Sequence, residues 1–222
     1  MIEAQWPTCS NPEAMLNLLT ERASPRKLRL YAVGCCRRIW PLMRDDRCRH
    51  AVEVAQRYVD GRATASELEA AGRTVAGVAR VWGDVSSPVA RSTFSLGGAA
   101  WAATRSSAWV AAWDAAWDAR SVARDQMRGT DWEKERVWQA GLLRDLVGNP
   151  FEPPRLDPAW LTQDVLQLAR VIYDESQFGE MPYLADALLD AGCGDEAVLG
   201  HCRTREPHYR GCWVVDLLLG YE

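Results

Sequence analysis

Residues 64–67 read Thr64-Ala65-Ser66-Glu67, the capping box that starts an α-helix. The same pattern recurs at Thr130-Asp131-Trp132-Glu133, while Asn11-Pro12 and Ser24-Pro25 each place a capping residue before a proline, which suits the first helical position. Asp45 and Asp46 are further capping candidates. Together these signals predict helices over residues 14–20, 25–40, 45–59, 64–82 and 130–148.

The rest of the chain is also predicted to be helical, because strand signals are nearly absent. Serines, Pro88 and the pair Gly97-Gly98 predict a loop over residues 83–98, followed by one Ala- and Trp-rich helix over 99–127. The C-terminal third predicts short paired helices over residues 162–174, 182–191, 195–202 and 209–219. No fixed repeat period accompanies them. We therefore expect an all-α, multi-helix bundle of roughly 8–10 helices.

A proline-rich connector predicts the division of the chain. Residues 149–154 read Asn-Pro-Phe-Glu-Pro-Pro, an extended segment that separates an N-terminal lobe (1–148) from a small C-terminal lobe (149–222). The two lobes differ in charge: residues 22–49 hold nine basic and two acidic side chains, whereas residues 151–222 hold thirteen acids and five arginines. Such an uneven charge distribution favours contact between the basic and the acidic end of the chain, either within one molecule or between two copies.

Composition restricts the class of protein. The chain has 222 residues, a net charge of −4 and 48% apolar residues, which is typical of a folded globular protein. No segment is long and apolar enough to span a bilayer, and the first residues lack the features of a secretory signal. Seven cysteines, an odd number without regular spacing, favour free thiols over disulfides. These features predict a cytoplasmic protein without a membrane partner.

Several sequence segments together resemble those of a family of uncharacterised proteins that is expanded as paralogues in planctomycete bacteria. They lie at residues 26–40, 143–151, 156–161, 184–188, 201–203 and 208–216, the last of these including Gly211-Cys212-Trp213-Val214-Val215-Asp216. The resemblance covers nearly the whole chain, with the Ala- and Trp-rich helix as its most variable part. It implies a full-length unit and a bacterial cytoplasmic setting, and it implies no activity.

The C-terminus holds a group of residues that could bind zinc: Cys193, His201, Cys202, His208 and Cys212. Zinc prefers four thiolate or imidazole ligands in a tetrahedron, and structural sites usually show Cys-x-x-Cys spacing. That spacing is absent here, so convergence depends on short helices that turn back on one another. The alternative is that the histidines lie at helix ends and the cysteines fill a core.

Two surfaces are candidates for binding a partner. Trp109, Trp113 and Trp117 follow one helical face at intervals of four residues, and they either pack in the core or form a docking ridge. The basic segment supplies the second set of candidates, Arg26, Arg29, Arg37 and Arg38, which suit carboxylate pairing as well as a phosphate backbone.

Catalytic motifs are missing from the sequence. It contains no Gly-rich phosphate loop, no Gly-x-Ser-x-Gly elbow and no His-Glu-x-x-His. We therefore expect a non-enzymatic module that binds another protein, with self-association as a further option and no cofactor beyond the zinc left open above. The alternatives are nucleic-acid binding through the 22–49 segment and a zinc-stabilised helical scaffold.

Overall fold

The computed structural model describes residues 1–81, 88–126 and 131–221, and within them it contains α-helices, short 3-10 turns and no β-strand. The α-helices are α1 (Pro12–Leu19), α2 (Pro25–Arg38), α3 (Asp46–Val59), α4 (Ala65–Val81), α5 (Pro88–Ala103), α6 (Ala108–Gln126), α7 (Asp131–Val147), α8 (Gln163–Asp174), α9 (Met181–Asp190), α10 (Glu196–Arg203) and α11 (Trp213–Leu219). The expected all-α multi-helix fold is confirmed.

Helices α1, α2 and α4 begin at the capping residues that the sequence predicts, while Thr130 of the second predicted capping box lies outside the described residues. The Asn11 side chain accepts a hydrogen bond from the Ala14 amide, and Ser24 Oγ accepts one from the Lys27 amide. Thr64 and Glu67 form the reciprocal capping box, in which each backbone N–H donates to the other side chain. Local sequence therefore determines where these helices start.

The predicted loop at residues 83–98 is wrong from Pro88 onward, because α5 begins there and continues to Ala103. Residues 82–87 lie outside the described residues. A Cβ at position 98 would overlap the Asp118 carboxylate of α6. Glycine at this position therefore lets α5 and α6 pack closely, which accounts for a glycine inside the helix.

The predicted single helix at 99–127 is also wrong, since α5 ends at Ala103 and α6 starts at Ala108. The Ser107 side chain accepts a hydrogen bond from the Val110 amide at the start of α6. Met127 lies outside the described residues.

The chain forms two compact units by its internal contacts. The first comprises Met1 and Thr8–Ala140, and the second comprises Ile2–Pro7 and Gly141–Glu222. The boundary falls within α7, and the short segment Ile2–Pro7 belongs to the second unit. The predicted division into an N-terminal lobe (1–148) and a small C-terminal lobe (149–222) stays a prediction.

Helices α8 to α11 build the core of the second unit. In α8 the buried residues Val165, Ala169, Ile172 and Tyr173 recur at the spacing of one helical face. They pack with apolar residues of the other three helices, among them Leu184, Leu188, Val198, Val214 and Leu218. Within the described residues no helix combines the length and apolarity needed to cross a membrane.

Candidate metal centre

Four side chains with metal-ligating atoms converge in the second unit: Asp145, His201, His208 and Cys212. One carboxylate oxygen, one ring nitrogen from each histidine and the thiol sulfur all lie within 4.8 Å of one another. This is the one such group of three or more His, Cys, Asp or Glu residues among the described parts of the chain.

Each of the four donors sits at or near the end of a helix. Asp145 lies in the last turn of α7, and His201 lies in the last turn of α10. Cys212 is the residue directly before α11, and Gly211 precedes it with a φ of 93°, a backbone conformation that favours glycine. A hydrogen bond of 2.8 Å from the Cys212 amide to the Tyr209 carbonyl closes the turn that carries His208 and Cys212 toward Asp145.

Four distances between these donor atoms lie within about 0.6 Å of those in a tetrahedral zinc site. Asp145 Oδ1 lies 2.7 Å from His208 Nδ1 and 3.3 Å from His201 Nε2. Cys212 Sγ lies 3.2 Å from His201 Nε2 and 3.9 Å from His208 Nδ1. In a zinc tetrahedron, nitrogen and oxygen donors lie roughly 3.3 Å apart, and pairs that include sulfur lie roughly 3.6 Å apart. Small adjustments of these side chains would therefore place all four donors around one cation.

Asp145 is held in its ionised form. Burial acts to raise the pKa of its carboxyl, but hydrogen bonds from His201 and His208 and the charges of those rings outweigh it and lower the pKa. The second carboxylate oxygen, Oδ2, accepts a hydrogen bond of 2.8 Å from the Tyr209 amide. Oδ1 is thus directed at the two histidines, while Oδ2 is fixed by the backbone.

Cys212 is fully buried, and burial raises the pKa of its thiol well above the usual value, with the Asp145 charge acting in the same direction. The backbone amides of Val215 and Val214, at the start of α11, act in the opposite direction and lower the pKa of the thiol. A bound cation would favour the thiolate here, because thiols that coordinate zinc are deprotonated.

The site is closed to solvent. The side chains of His201, Asp145 and His208 are 15%, 7% and 5% exposed. The His201 ring lies between the rings of His208 and Trp213, with ring centroids 4.7 Å and 5.0 Å away. His208 Nε2 is buried without a hydrogen-bond partner among the described residues, so Nδ1 is the atom of this ring that the cluster engages.

The structure brings together three of the five residues proposed as zinc ligands from the sequence, His201, His208 and Cys212. Cys193 and Cys202 are buried in the apolar core of the second unit and are not part of the group. Asp145 was missed by sequence reasoning. It lies far earlier in the chain, and no short motif links it to the histidines.

Arg29, Arg37 and Arg38 make contacts inside the first unit. Buried Arg29 donates to the carbonyls of Ala103 and Ser106, at 2.8 Å and 3.3 Å. Arg38 forms an ion pair of 3.3 Å with Glu135, whose side chain is buried. Arg37 donates to Gln56 Oε1, and its guanidinium lies 4.1 Å from the centre of the Trp40 ring; Arg26 is half-buried.

The tryptophan stripe of α6 changes in burial along its length. Trp109 and Trp113 are half-buried, their ring centroids lie 5.5 Å apart, and Trp109 Nε1 donates to Thr20 Oγ1. Trp117 is 60% exposed, with the Arg120 guanidinium 5.7 Å from its ring centre. The stripe is therefore packed at its beginning and exposed at its end.

Comparison of the chain with protein-family models, with curated protein sequences and with solved structures found no match. The resemblance to the planctomycete family stays a prediction. The converging Asp145, His201, His208 and Cys212 side chains are thus the strongest basis for inferring a function.

Proposed function

We propose that this protein is a non-enzymatic helical scaffold whose second unit is stabilised by one structural zinc ion, bound by Asp145, His201, His208 and Cys212. The observation that carries the proposal is the convergence of four potential ligand atoms within 4.8 Å of one another at nearly buried positions. Burying two imidazoles, a carboxylate and a thiol costs free energy unless they pair with one another or bind a metal, and one cation would engage all four donor atoms at once.

The donor set supports zinc over other common cations. Mg²⁺ and Ca²⁺ prefer six or more oxygen ligands, whereas imidazole nitrogen and thiolate sulfur suit Zn²⁺. A catalytic zinc site keeps one position open for water or substrate, while a structural site uses four protein ligands. Four protein donors and low exposure support the structural role. The reduced Cys212 thiol that the site needs also fits the cytoplasmic setting that the sequence predicts.

Metal content of paired cysteine variants tests this proposal. Cys212→Ser removes one donor, whereas Cys202→Ser changes another fully buried cysteine of the same unit that is not in the group. We expect the wild type and Cys202→Ser to retain one zinc ion per chain during dialysis against a mild chelator, and Cys212→Ser to lose it. Equal zinc content in the two variants, or none in the wild type, contradicts the proposal.

Protein binding is a second candidate function, and the exposure of Trp117 favours it. A tryptophan that is 60% exposed beside an arginine has the character of an interface anchor. A scaffold with a stable metal-bound unit is a suitable carrier for such a surface. Nucleic-acid binding through the 22–49 segment has less support, because Arg29, Arg37 and Arg38 make contacts within the first unit.

A further inference from the structure

The segment Ile2–Pro7 packs in the second unit, far along the chain from the residues that it contacts. Trp6 is only 3% exposed, and its Nε1 donates a hydrogen bond of 2.8 Å to the Gly148 carbonyl. Next to it, Glu3 Oε1 accepts a hydrogen bond of 3.0 Å from Asn149 Nδ2. Two side chains of this segment therefore contact the residues directly after α7, Trp6 at the Gly148 carbonyl and Glu3 at the Asn149 side chain.

Gly148 connects this contact to the metal centre. It ends α7 with a φ of 71° and a hydrogen bond of 2.9 Å from its amide to the Arg144 carbonyl, so it sets the last turn of the helix that carries Asp145. The ring of Trp213 lies directly against it, since a Cβ at position 148 would be 3.1 Å from ring atoms of Trp213.

Trp213 continues the contact to two more ligands. Its ring centroid lies 5.0 Å from that of His201, and it directly follows Cys212 in the chain. A displacement of Gly148 would therefore move the end of α7 together with Trp213. These contacts give Trp6 a route to three of the four proposed ligands.

We propose that the Ile2–Pro7 segment is a supporting part of the metal centre, and that Trp6 is a positioning residue that slows the release of the metal ion. This inference rests on the proposed function, because it requires that the site binds zinc. Residues behind the direct ligands fix ligand orientation in zinc sites, and their loss typically weakens binding about 10- to 100-fold. Trp6 acts through one further layer, so we expect a smaller effect.

The variant Trp6→Phe tests the proposal, because it removes the N–H donor and keeps an aromatic ring. Trp109→Phe is the matched control: it removes a similar hydrogen bond, from Nε1 to Thr20 Oγ1, in the first unit. Zinc release from the full chain to excess 4-(2-pyridylazo)resorcinol is followed by absorbance. We expect release about three- to tenfold faster in Trp6→Phe and unchanged in Trp109→Phe.

A second readout separates positioning from general loosening of the fold. With Co²⁺ in place of zinc, the visible absorption bands report the ligand geometry, and we expect them to shift in Trp6→Phe and not in Trp109→Phe. Should Trp6→Phe fail to fold, Glu3→Ala decides the question, because it removes the contact to Asn149 at an exposed position. For Glu3→Ala we expect a smaller acceleration in the same direction.

The outcomes distinguish the two proposals. A wild type that binds no zinc overturns both of them. A wild type that binds zinc, with release equally fast in Trp6→Phe, Glu3→Ala and the wild type, overturns only the role of the Ile2–Pro7 segment. Equal acceleration in Trp6→Phe and Trp109→Phe also overturns it.

Discussion

Asp145 is the proposed ligand that connects α7 to the C-terminal donors, because its Oδ1 lies within 3.3 Å of a nitrogen from each histidine. We expect Asp145→Asn to weaken zinc binding by at least about tenfold, since an amide oxygen is a poorer ligand than a carboxylate. Competitive titration against a zinc-binding dye measures the change. Asp186→Asn is the control, because that carboxylate is on the same unit and 70% exposed; equal affinities for the two variants contradict the assignment of Asp145.

Sequence reasoning reached the other three ligands and not Asp145, for a physical reason. His201, His208 and Cys212 lie within a short stretch, so one turn of the chain can bring them together. Asp145 joins them through the packing of α7 against the C-terminal turn, and its local sequence, Leu-Arg-Asp-Leu, is that of an ordinary helix end. Packing among α8 to α11 places Cys193 and Cys202 in the core, although their residue type suits zinc equally well.

Asp118 predicts a pH dependence of stability. Burial, together with the charge of Asp114, raises the pKa of its carboxyl to about 7, against a partial opposing effect of a hydrogen bond with Ser95. The folded protein therefore binds more protons than the unfolded chain between about pH 4 and pH 7, so this group lowers the free energy of unfolding as pH rises through that range. The total effect is on the order of 4 kcal/mol.

The variant Asp118→Asn removes this contribution. We expect it to be more stable than the wild type at pH 8 and to lose most of that advantage by pH 5. Urea unfolding of both proteins at the two pH values gives the comparison, and any loss of zinc at the lower pH affects both alike. A difference in stability that is independent of pH contradicts the altered pKa of Asp118.

The tryptophan stripe of α6 should contribute unequally to stability along its length. Trp117→Ala is expected to cost less than about 1 kcal/mol of stability, because the side chain is 60% exposed. Trp113→Ala is expected to cost about 2–3 kcal/mol, since its half-buried ring packs against Trp109. Chemical denaturation measures both values. Similar costs would show that the stripe is uniformly packed or uniformly exposed.

Helix boundaries were predictable where caps are local and not where packing decides. Asn11, Ser24 and Thr64 begin their helices as expected, because each cap satisfies backbone N–H groups within three residues. The pair Gly97-Gly98 suggested a loop, yet it lies inside α5, where Gly98 makes room for Asp118. Because Asp118 belongs to a neighbouring helix, the sequence around Gly98 does not predict this contact.

Over the whole chain, the fold class was predictable and the metal centre only in part. Periodic apolar residues and caps establish the all-α class, since both depend on neighbours one or two turns away. The metal centre depends on α7, α10 and the turn before α11 meeting in the second unit, which is a property of the tertiary structure. The contact from Trp6 to Gly148 is of the same kind.

The central claim is that the second unit binds one zinc ion, and native mass spectrometry of the full chain, purified without added metal or chelator, tests it most directly. We predict one species heavier than the bare polypeptide by one zinc ion, which loses that mass in acid. A bare polypeptide whose mass and thermal stability stay unchanged after equimolar zinc is added would contradict the claim.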